Sequence, residues 1–254
     1  MNDNRRDFLK KISLAGAALT IPRILTAADV ESNTVIDNDI PKTWLFQGDS
    51  ITDGGRSTNY DWNHVYGQDY AYLITSRVNY EYPENDYKIF NRGISGNTVN
   101  DLTARWQKDT LDIKPDLLSI LIGINDVFAL VVRGEKVTAD DFGNSYDALL
   151  SQTVQALPEV KLVICEPFIL PVGMINKNLN TWTVEVQKRQ AIAKELAAKH
   201  NAVYVKLQNV FNKAASKTSP EHWIWDGIHP MPAGHELIAR EWLNTVKKHY
   251  KIFG

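Results

Sequence analysis

Short apolar runs alternate with longer stretches of helical spacing along most of this chain. Each short run is followed by a polar residue or a glycine, as β-strands are. The five runs are residues 43–46, 87–90, 117–122, 160–165 and 203–205. Helical segments are predicted between or after them, at residues 64–79, 98–112, 139–157, 181–200 and 233–249. This alternation predicts an α/β fold, a three-layer α/β/α domain with a mainly parallel sheet of roughly five strands.

The predicted sheet also indicates where a functional site would lie. Residues 117–122 form an apolar run interrupted only by Ser119, which is typical of a strand buried on both faces. We see no repeat and no change of composition within residues 42–254, so one domain is predicted there. Residues 124–138 and 167–180 are expected to be loops. In parallel sheets ligands bind outside the carboxyl ends of the strands, so the loops after the strands are the place to look for chemistry.

The first residues are predicted to be a targeting signal and not part of the fold. Arg5 and Arg6 precede an apolar stretch at residues 12–21, and small residues follow it. Residues 1–27 therefore resemble an export signal of the twin-arginine kind, and export to the periplasm or the extracellular space is expected. The apolar stretch is about half of the ~20 residues that a membrane span needs. No stable membrane span is expected after removal of the signal, although a retained anchor is left open. Residues 28–41 are polar and aperiodic, and are expected to be a linker.

Composition narrows the possible partners. The net charge is −2, with 44% hydrophobic and 23% charged residues, which is typical of a soluble globular protein. The chain has no basic stripe interleaved with aromatic residues, so nucleic acid is not an expected partner. Cys165 is the only cysteine and lies in a predicted strand, where burial is expected. One cysteine makes neither an internal disulfide nor a thiolate metal site, and no metal or other cofactor is predicted.

Four polar, glycine-bearing loops carry the candidate chemistry. Three follow predicted strands and the fourth precedes the last predicted helix. They contain Gly48-Asp49-Ser50-Ile51-Thr52, Ile94-Ser95-Gly96-Asn97, Gly123-Ile124-Asn125-Asp126 and Asp226-Gly227-Ile228-His229-Pro230. In this order they resemble the conserved blocks of the GDSL/SGNH hydrolase family. The resemblance spans residues 48–230 and implies an SGNH, flavodoxin-like fold.

The resemblance also implies roles for particular residues. Ser50 would be the nucleophile, His229 its base and Asp226 the third member of a catalytic triad. The backbone N–H groups of Ser50 and Gly96 and the side-chain amide of Asn125 would form the oxyanion hole. The residue chemistry agrees, since a serine hydroxyl needs a base to take its proton, and histidine accepts one near neutral pH. Structural roles remain open at this point: Ser50 as a helix cap, Gly96 as a turn glycine, and Asn125 as a second cap.

Other residues near these blocks have more than one interpretation. Asp49 and Asp126 are interpreted as carboxylates that brace the loops. His222 and His235 lie near Asp226 and His229, but the helix-borne pair of a zinc site is missing. Trp223 and Trp225 either line the substrate site or pack in the core.

The predicted function is hydrolysis of a small-molecule or glycan ester by a serine enzyme. Removal of acetyl or other short acyl groups from carbohydrate is the leading hypothesis. One alternative is a lipase, lysophospholipase or thioesterase that acts on longer acyl chains. Another is an inactive, carbohydrate-binding relative of the family.

Overall fold

The computed structural model describes residues 40–59 and 61–252. The export signal predicted at residues 1–27 and nearly all of the linker predicted at residues 28–41 lie outside the described residues. Within the described ranges, no helix is both long enough and apolar enough to cross a membrane.

A sheet of five parallel strands forms the centre of the described fold. Its order is β2-β1-β3-β4-β5, so the chain turns to one side after β1 and to the other side after β2. The strands are β1 (Thr43–Gly48), β2 (Lys88–Asn91), β3 (Leu117–Leu121), β4 (Lys161–Cys165) and β5 (Val203–Val205). The order reverses between β1 and β3, and such a switch point is where ligands of open α/β sheets bind. The five strands predicted from the sequence are confirmed.

Helices cover both faces of this sheet. They are α1 (Ser50–Asp53), α2 (Tyr70–Glu81), α3 (Val99–Trp106), α4 (Ile124–Val131), α5 (Ala139–Ala156), α6 (Leu179–Lys199), α7 (Gln208–Ala215) and α8 (Pro232–Val246). Side chains alternate across β1. Phe46 packs against Tyr70 and Trp242 on one face, with ring centroids 5.8 and 5.5 Å apart. Leu45 belongs to the apolar cluster on the other face, with Trp106. The predicted three-layer α/β/α architecture is confirmed.

Several predicted boundaries are wrong. The helix predicted at 64–79 begins only at Tyr70, because Asp69 caps it by accepting a hydrogen bond from the Tyr72 N–H at 2.9 Å. The helix predicted at 98–112 changes at Gln107 to a wider turn that ends at Leu111.

Two helices, α4 and α7, form in segments where the sequence pattern predicts no helix. Residues 124–131, within a predicted loop, form α4, and α7 follows β5. Six of the eight residues of α4 are apolar, and the two polar ones, Asn125 and Asp126, both lie in its first turn. The five residues that follow are a continuous apolar run, which does not by itself indicate a helix. In the loop predicted at 167–180, residues 173–178 form a short 3₁₀ helix and α6 already begins at Leu179.

Candidate active site

Ser50 lies at the carboxyl end of β1, as the first residue of α1. The turn between strand and helix is tight. A side chain at Gly48 would place its Cβ 2.4 Å from both the carbonyl oxygen of Leu121 and Oγ1 of Thr52, so only glycine fits. Asp49 caps α1, because its Oδ1 accepts a hydrogen bond from the Ile51 N–H at 3.0 Å. The turn thus brings the Ser50 hydroxyl to the switch point of the sheet.

Three side chains form a hydrogen-bonded line at this position. Ser50 Oγ lies 2.9 Å from His229 Nε2, although the two residues are 179 positions apart in the chain. His229 Nδ1 lies 2.6 Å from Asp226 Oδ2. Asp226 Oδ1 accepts hydrogen bonds from the N–H groups of Ile228 at 2.9 Å and His229 at 2.7 Å. The carboxylate is therefore fixed by its own loop, and it orients the imidazole toward Ser50.

The electrostatics of this line favour proton transfer. The hydrogen bond from His229 to Asp226 raises the pKa of the imidazole above its ordinary value, against the opposite effect of burial. Burial alone would raise the pKa of Asp226, but hydrogen bonds from the His229 side chain and from the loop N–H groups lower it below its ordinary value. The Asp226 side chain is 5% exposed and that of His229 is 38% exposed. An ionised carboxylate thus supports a ring that is accessible from solvent.

The segment after β4 holds the Asp226 loop in place. The Leu170 N–H donates to the carbonyl of Gly227 at 3.0 Å, and the Met174 N–H donates to that of Asp226 at 3.1 Å. Gly173 lies so close that a Cβ there would be 2.5 Å from the Cα and carbonyl oxygen of Asp226. No sequence motif predicted a role for Gly173. Its signal is a glycine soon after a buried strand, which indicates close backbone approach only when the partner loop is known.

The other two predicted blocks lie beside Ser50. Gly96 has φ +85°, which favours glycine, and a Cβ there would contact nothing within 4 Å. Asn125 is in the first turn of α4, and its Nδ2 donates to the carbonyl of Asn97 at 3.1 Å. A primary amide has two N–H bonds, so the second stays available for another acceptor.

Arg105 links these blocks in a way that the motifs do not reveal. Its Nε donates to Oδ1 of Asn97 at 2.8 Å, and one Nη donates to the carbonyl of Arg92 at 2.8 Å. The other Nη reaches the carbonyl of Gly48 at 3.4 Å. One guanidinium from α3 therefore joins the loop that carries Ser50 to the loop that carries Gly96.

Asp49 and Asp126 accept hydrogen bonds from the backbone, as loop-bracing carboxylates do. Burial raises the pKa of Asp49 to about 7, and its Oδ2 has no hydrogen-bond partner among the described residues. Burial also raises the pKa of Asp126 to about 6. The Val99 N–H lies 3.3 and 3.4 Å from the two carboxylate oxygens of Asp126.

The two tryptophans before the last block have different environments. Trp223 is partly buried against the apolar core. Trp225 is 59% exposed, and its ring lies 6.4 Å from the His229 ring, centroid to centroid, with 21° between the planes. Of the two tryptophans, only Trp225 therefore borders the line formed by Ser50, His229 and Asp226. Cys165 is buried in β4, and no group of three or more His, Cys, Asp or Glu residues in the described part of the chain is arranged to hold a metal ion.

Comparison with known proteins identifies the family. Residues 46–237 match the model of the GDSL-like lipase/acylhydrolase family. The chain is 34% identical over 209 residues to an acetylxylan esterase from Geobacillus stearothermophilus. The aligned region covers 80% of this chain and 92% of that esterase. The chain is 32% identical over 81 residues to an uncharacterized lipoprotein from Bacillus subtilis, covering 32% of this chain and 33% of that one.

Solved structures agree with these matches. A protein described as a GDSL-like lipase from Parabacteroides merdae superposes with a TM-score of 0.78 at 35% identity, over 82% of this chain and 96% of that one. The Geobacillus esterase superposes with a TM-score of 0.71 at 30% identity, over 81% and 94%. Structures of that esterase with a serine or an aspartate replaced by alanine are described as catalytic mutants. This chain belongs to the GDSL-like lipase/acylhydrolase family, which makes it a carboxylic ester hydrolase with a serine nucleophile.

Proposed function

We propose that this protein removes acetyl or other short acyl groups from carbohydrate esters, and that Ser50, His229 and Asp226 are its catalytic triad. The observation that carries the assignment of the triad is the hydrogen-bonded line from Ser50 Oγ to His229 and on to Asp226. The substrate class rests on the similarity to the acetylxylan esterase. The exposed Trp225 supports it, because a flat aromatic ring beside the triad suits the face of a sugar.

The first half of the reaction forms an acyl-enzyme. Ser50 Oγ attacks the ester carbonyl while His229 Nε2 takes the hydroxyl proton, and Asp226 stabilises the imidazolium. The negative charge that develops on the carbonyl oxygen is bound by the N–H groups of Ser50 and Gly96 and by the Asn125 amide. His229 then gives its proton to the departing sugar hydroxyl as the C–O bond breaks.

The second half releases the acid. A water molecule attacks the acyl-enzyme while His229 takes a proton from that water. The second tetrahedral intermediate then collapses: the bond from the acyl carbon to Ser50 Oγ breaks, His229 returns its proton to Ser50 Oγ, and the carboxylic acid leaves. The same oxyanion donors serve both halves. Loss of one such donor typically lowers kcat by about 10²–10³-fold, so Asn125→Ala is expected to fall in that range.

The longer-chain alternative has one observation in its favour. Exposed apolar side chains lie on segments at the catalytic edge of the sheet: Ile94, Val132, Met174 and Met231. They offer apolar surface to an acyl chain. The inactive-relative alternative is not supported, because Ser50 and His229 lie within hydrogen-bond distance of each other.

The decisive experiment compares acyl donors. Acetate release from acetylated xylo-oligosaccharides, and rates on acetyl and octanoyl nitrophenyl esters, are measured for the native chain. The proposal expects acetate release and faster hydrolysis of the acetyl ester. Ser50→Ala should lose both activities, whereas Ser151→Ala, at an exposed position of α5, should keep them. A strong preference for the octanoyl ester would favour the lipase-like alternative instead.

We also infer that residues 1–27 direct export and that residues 42–254 form the hydrolase domain. The paired arginines and the short apolar stretch support the signal. The start of the family match at residue 46 supports the domain boundary. Sequencing the amino terminus of protein recovered outside the cytoplasm tests both. A mature chain that begins near residue 28 is expected, and an intact amino terminus would contradict it.

A further inference from the structure

A cavity of about 480 Å³ lies beside β2, between the segment after α1 and the turn that follows α3. Its volume is in the range of small-molecule sites, which is roughly 300–1,000 Å³. None of Ser50, Asp226 and His229 lines it, but a hydrogen bond joins its wall to the segment that leads to Gly96. Arg56 in its wall donates from Nε to the carbonyl of Gly93 at 2.8 Å, three residues before Gly96.

The cavity wall carries an excess of positive charge. Three cations, Arg56, Arg92 and Lys108, line it together with one carboxylate, Asp109. That carboxylate is already paired with Arg105 at 3.1 Å. Burial lowers the pKa of Arg56, the charge of Asp53 opposes this effect, and the neighbouring guanidinium of Arg92 lowers the pKa further. These like charges repel one another, and a bound anion would relieve the repulsion.

The cationic groups also keep hydrogen-bond donors free. The ion-pair partner of Arg56 is Asp53, but the distance from Arg56 Nε to Asp53 Oδ1 is 4.0 Å, which is too long for a hydrogen bond. The other oxygen of that carboxylate, Oδ2, accepts hydrogen bonds from the N–H and hydroxyl of Ser95. Arg92 donates only to the neighbouring carbonyl of Asn91 at 3.2 Å among the described residues. Lys108 has no ion pair within the described part of the chain. A planar guanidinium suits a carboxylate, since two parallel hydrogen bonds can form.

An exposed aromatic ring completes the wall. Trp62 lines the cavity and is 80% exposed, so most of its ring is available to a ligand. Its flat face can cover the C–H groups of a sugar ring while the cations bind a charged substituent. A simple inorganic anion has no C–H groups to place against this ring, whereas an acidic sugar would contact both the ring and the cations.

We propose that this cavity binds the carboxylate of a uronic acid residue, so that the enzyme acts on acetylated carbohydrate chains that also carry acidic sugars. This inference rests on the proposed function, because it assumes that the substrate is an acetylated carbohydrate. Arg56, Arg92, Lys108 and Trp62 would hold the acidic residue, while an acetyl group on a nearby sugar reaches Ser50.

Binding is the direct test. Isothermal titration of the native protein is carried out with a glucuronate-substituted xylo-oligosaccharide and with the unsubstituted oligosaccharide of the same length, neither of them acetylated. We expect the acidic oligosaccharide to bind at least tenfold more tightly at low salt. The difference should shrink at high salt, because screening weakens partly exposed charge pairs. Equal affinities would overturn the proposal.

Variants locate the binding site. Lys108→Met and Trp62→Ala should each weaken binding of the acidic oligosaccharide by about fivefold or more, whereas Lys217→Met, at an exposed lysine after α7, should not. Inorganic phosphate is the control ligand. If phosphate bound as tightly as the acidic oligosaccharide, the cavity would be a general anion site and the proposal would be wrong.

Acetate release separates this proposal from the proposed function. Equal affinities together with normal release from neutral acetylated oligosaccharides would overturn the cavity assignment alone. Preferential binding of the acidic oligosaccharide without acetate release from any carbohydrate would support the cavity but contradict the proposed function.

Discussion

Asp226 has the largest effect on the base at the scale of single residues. Its carboxylate contacts His229 Nδ1 at 2.6 Å and holds the loop through two further N–H bonds. The hydrogen bond raises the pKa of the imidazole. In the proposed mechanism the neutral imidazole accepts the Ser50 proton, and this form is populated only as the pH rises past that pKa. Activity is therefore expected to increase with pH on the acid side.

Asp226→Asn should lower kcat by about 10³–10⁴-fold, because the ring loses the partner that fixes its tautomer and stabilises its charged form. The acid-side midpoint of kcat/KM should move to lower pH, since the pKa of His229 falls without the carboxylate. Hydrolysis of nitrophenyl acetate between pH 5 and pH 9 measures both. Asp140→Asn, at an exposed position of α5, is the control, and an unchanged midpoint in Asp226→Asn would contradict this account.

Arg105 is expected to act by positioning the loops, not by contact with substrate. Arg105→Met removes the bonds to Asn97, Arg92 and Gly48 and the ion pair with Asp109. It should lower kcat by about 10–100-fold with a smaller change in KM. Arg105→Lys should not restore the rate, because one ammonium cannot reproduce a planar fork of donors.

The control for Arg105 is Arg240→Met, at an arginine of α8 whose side chain is 68% exposed. It should leave kcat unchanged. A rise in KM alone in Arg105→Met, or full rescue by lysine, would show that Arg105 does not act by positioning the loop that carries Gly96.

A residue of the candidate site could be predicted from the sequence when it lies in a short motif, and not when its partners lie elsewhere in the chain. Ser50, Asp226 and His229 lie in short motifs whose residue types suit the chemistry, so they could be predicted. Arg105 and Gly173 could not, since each acts on a loop far away in the chain. The environments of Trp223 and Trp225 were left open for the same reason, as burial depends on the packing of α8 and the sheet.

At the scale of elements, the buried strands were the easiest to predict. Every residue of β3 is buried, and all but Ser119 are apolar, because helices cover both of its faces. The start of α2 carried a usable signal in Asp69, an N-cap residue before an apolar stretch. α4 carried no comparable signal, because Gly123 at its N-cap has φ +119° and makes no side-chain cap.

Two glycines test whether the segment after β4 positions Asp226. Gly173 and Gly134 both have positive φ, +55° and +69°, but only Gly173 lies against another backbone. Gly173→Ala should push the Asp226 loop away, lowering both kcat and the free energy of unfolding, whereas Gly134→Ala should show only the smaller cost of its φ. Urea unfolding and nitrophenyl acetate hydrolysis measure the two effects. Equal losses in the two variants would show that backbone strain alone matters.

At the scale of the whole molecule, buried carboxyls link stability to pH. Burial raises the pKa of Asp49 to about 7 and that of Asp69 to about 8. A carboxyl with a raised pKa binds its proton more tightly in the folded state, so its contribution to stability falls as pH rises toward that pKa. The raised pKa of His229 acts in the same direction.

The free energy of unfolding should therefore decrease between pH 6.5 and pH 8.5. His235 opposes this decrease only weakly, because burial lowers its folded pKa to about 4 and its effect on stability is nearly complete once the pH passes its ordinary pKa of 6.5. Urea titrations across this range measure the slope. Asp69→Asn, which can keep the helix cap, should flatten it, and a stability that rises with pH in the native chain would contradict the account.

Labelling with a fluorophosphonate tests the central claim most directly, since the reagent phosphonylates a serine only where a base activates it. Mass spectrometry of the digested protein identifies the modified residue. The account predicts a single adduct, on Ser50, that forms at least about 100-fold more slowly in His229→Gln. An unlabelled Ser50 in a protein that still hydrolyses esters, or labelling that is unaffected by loss of His229, would contradict it.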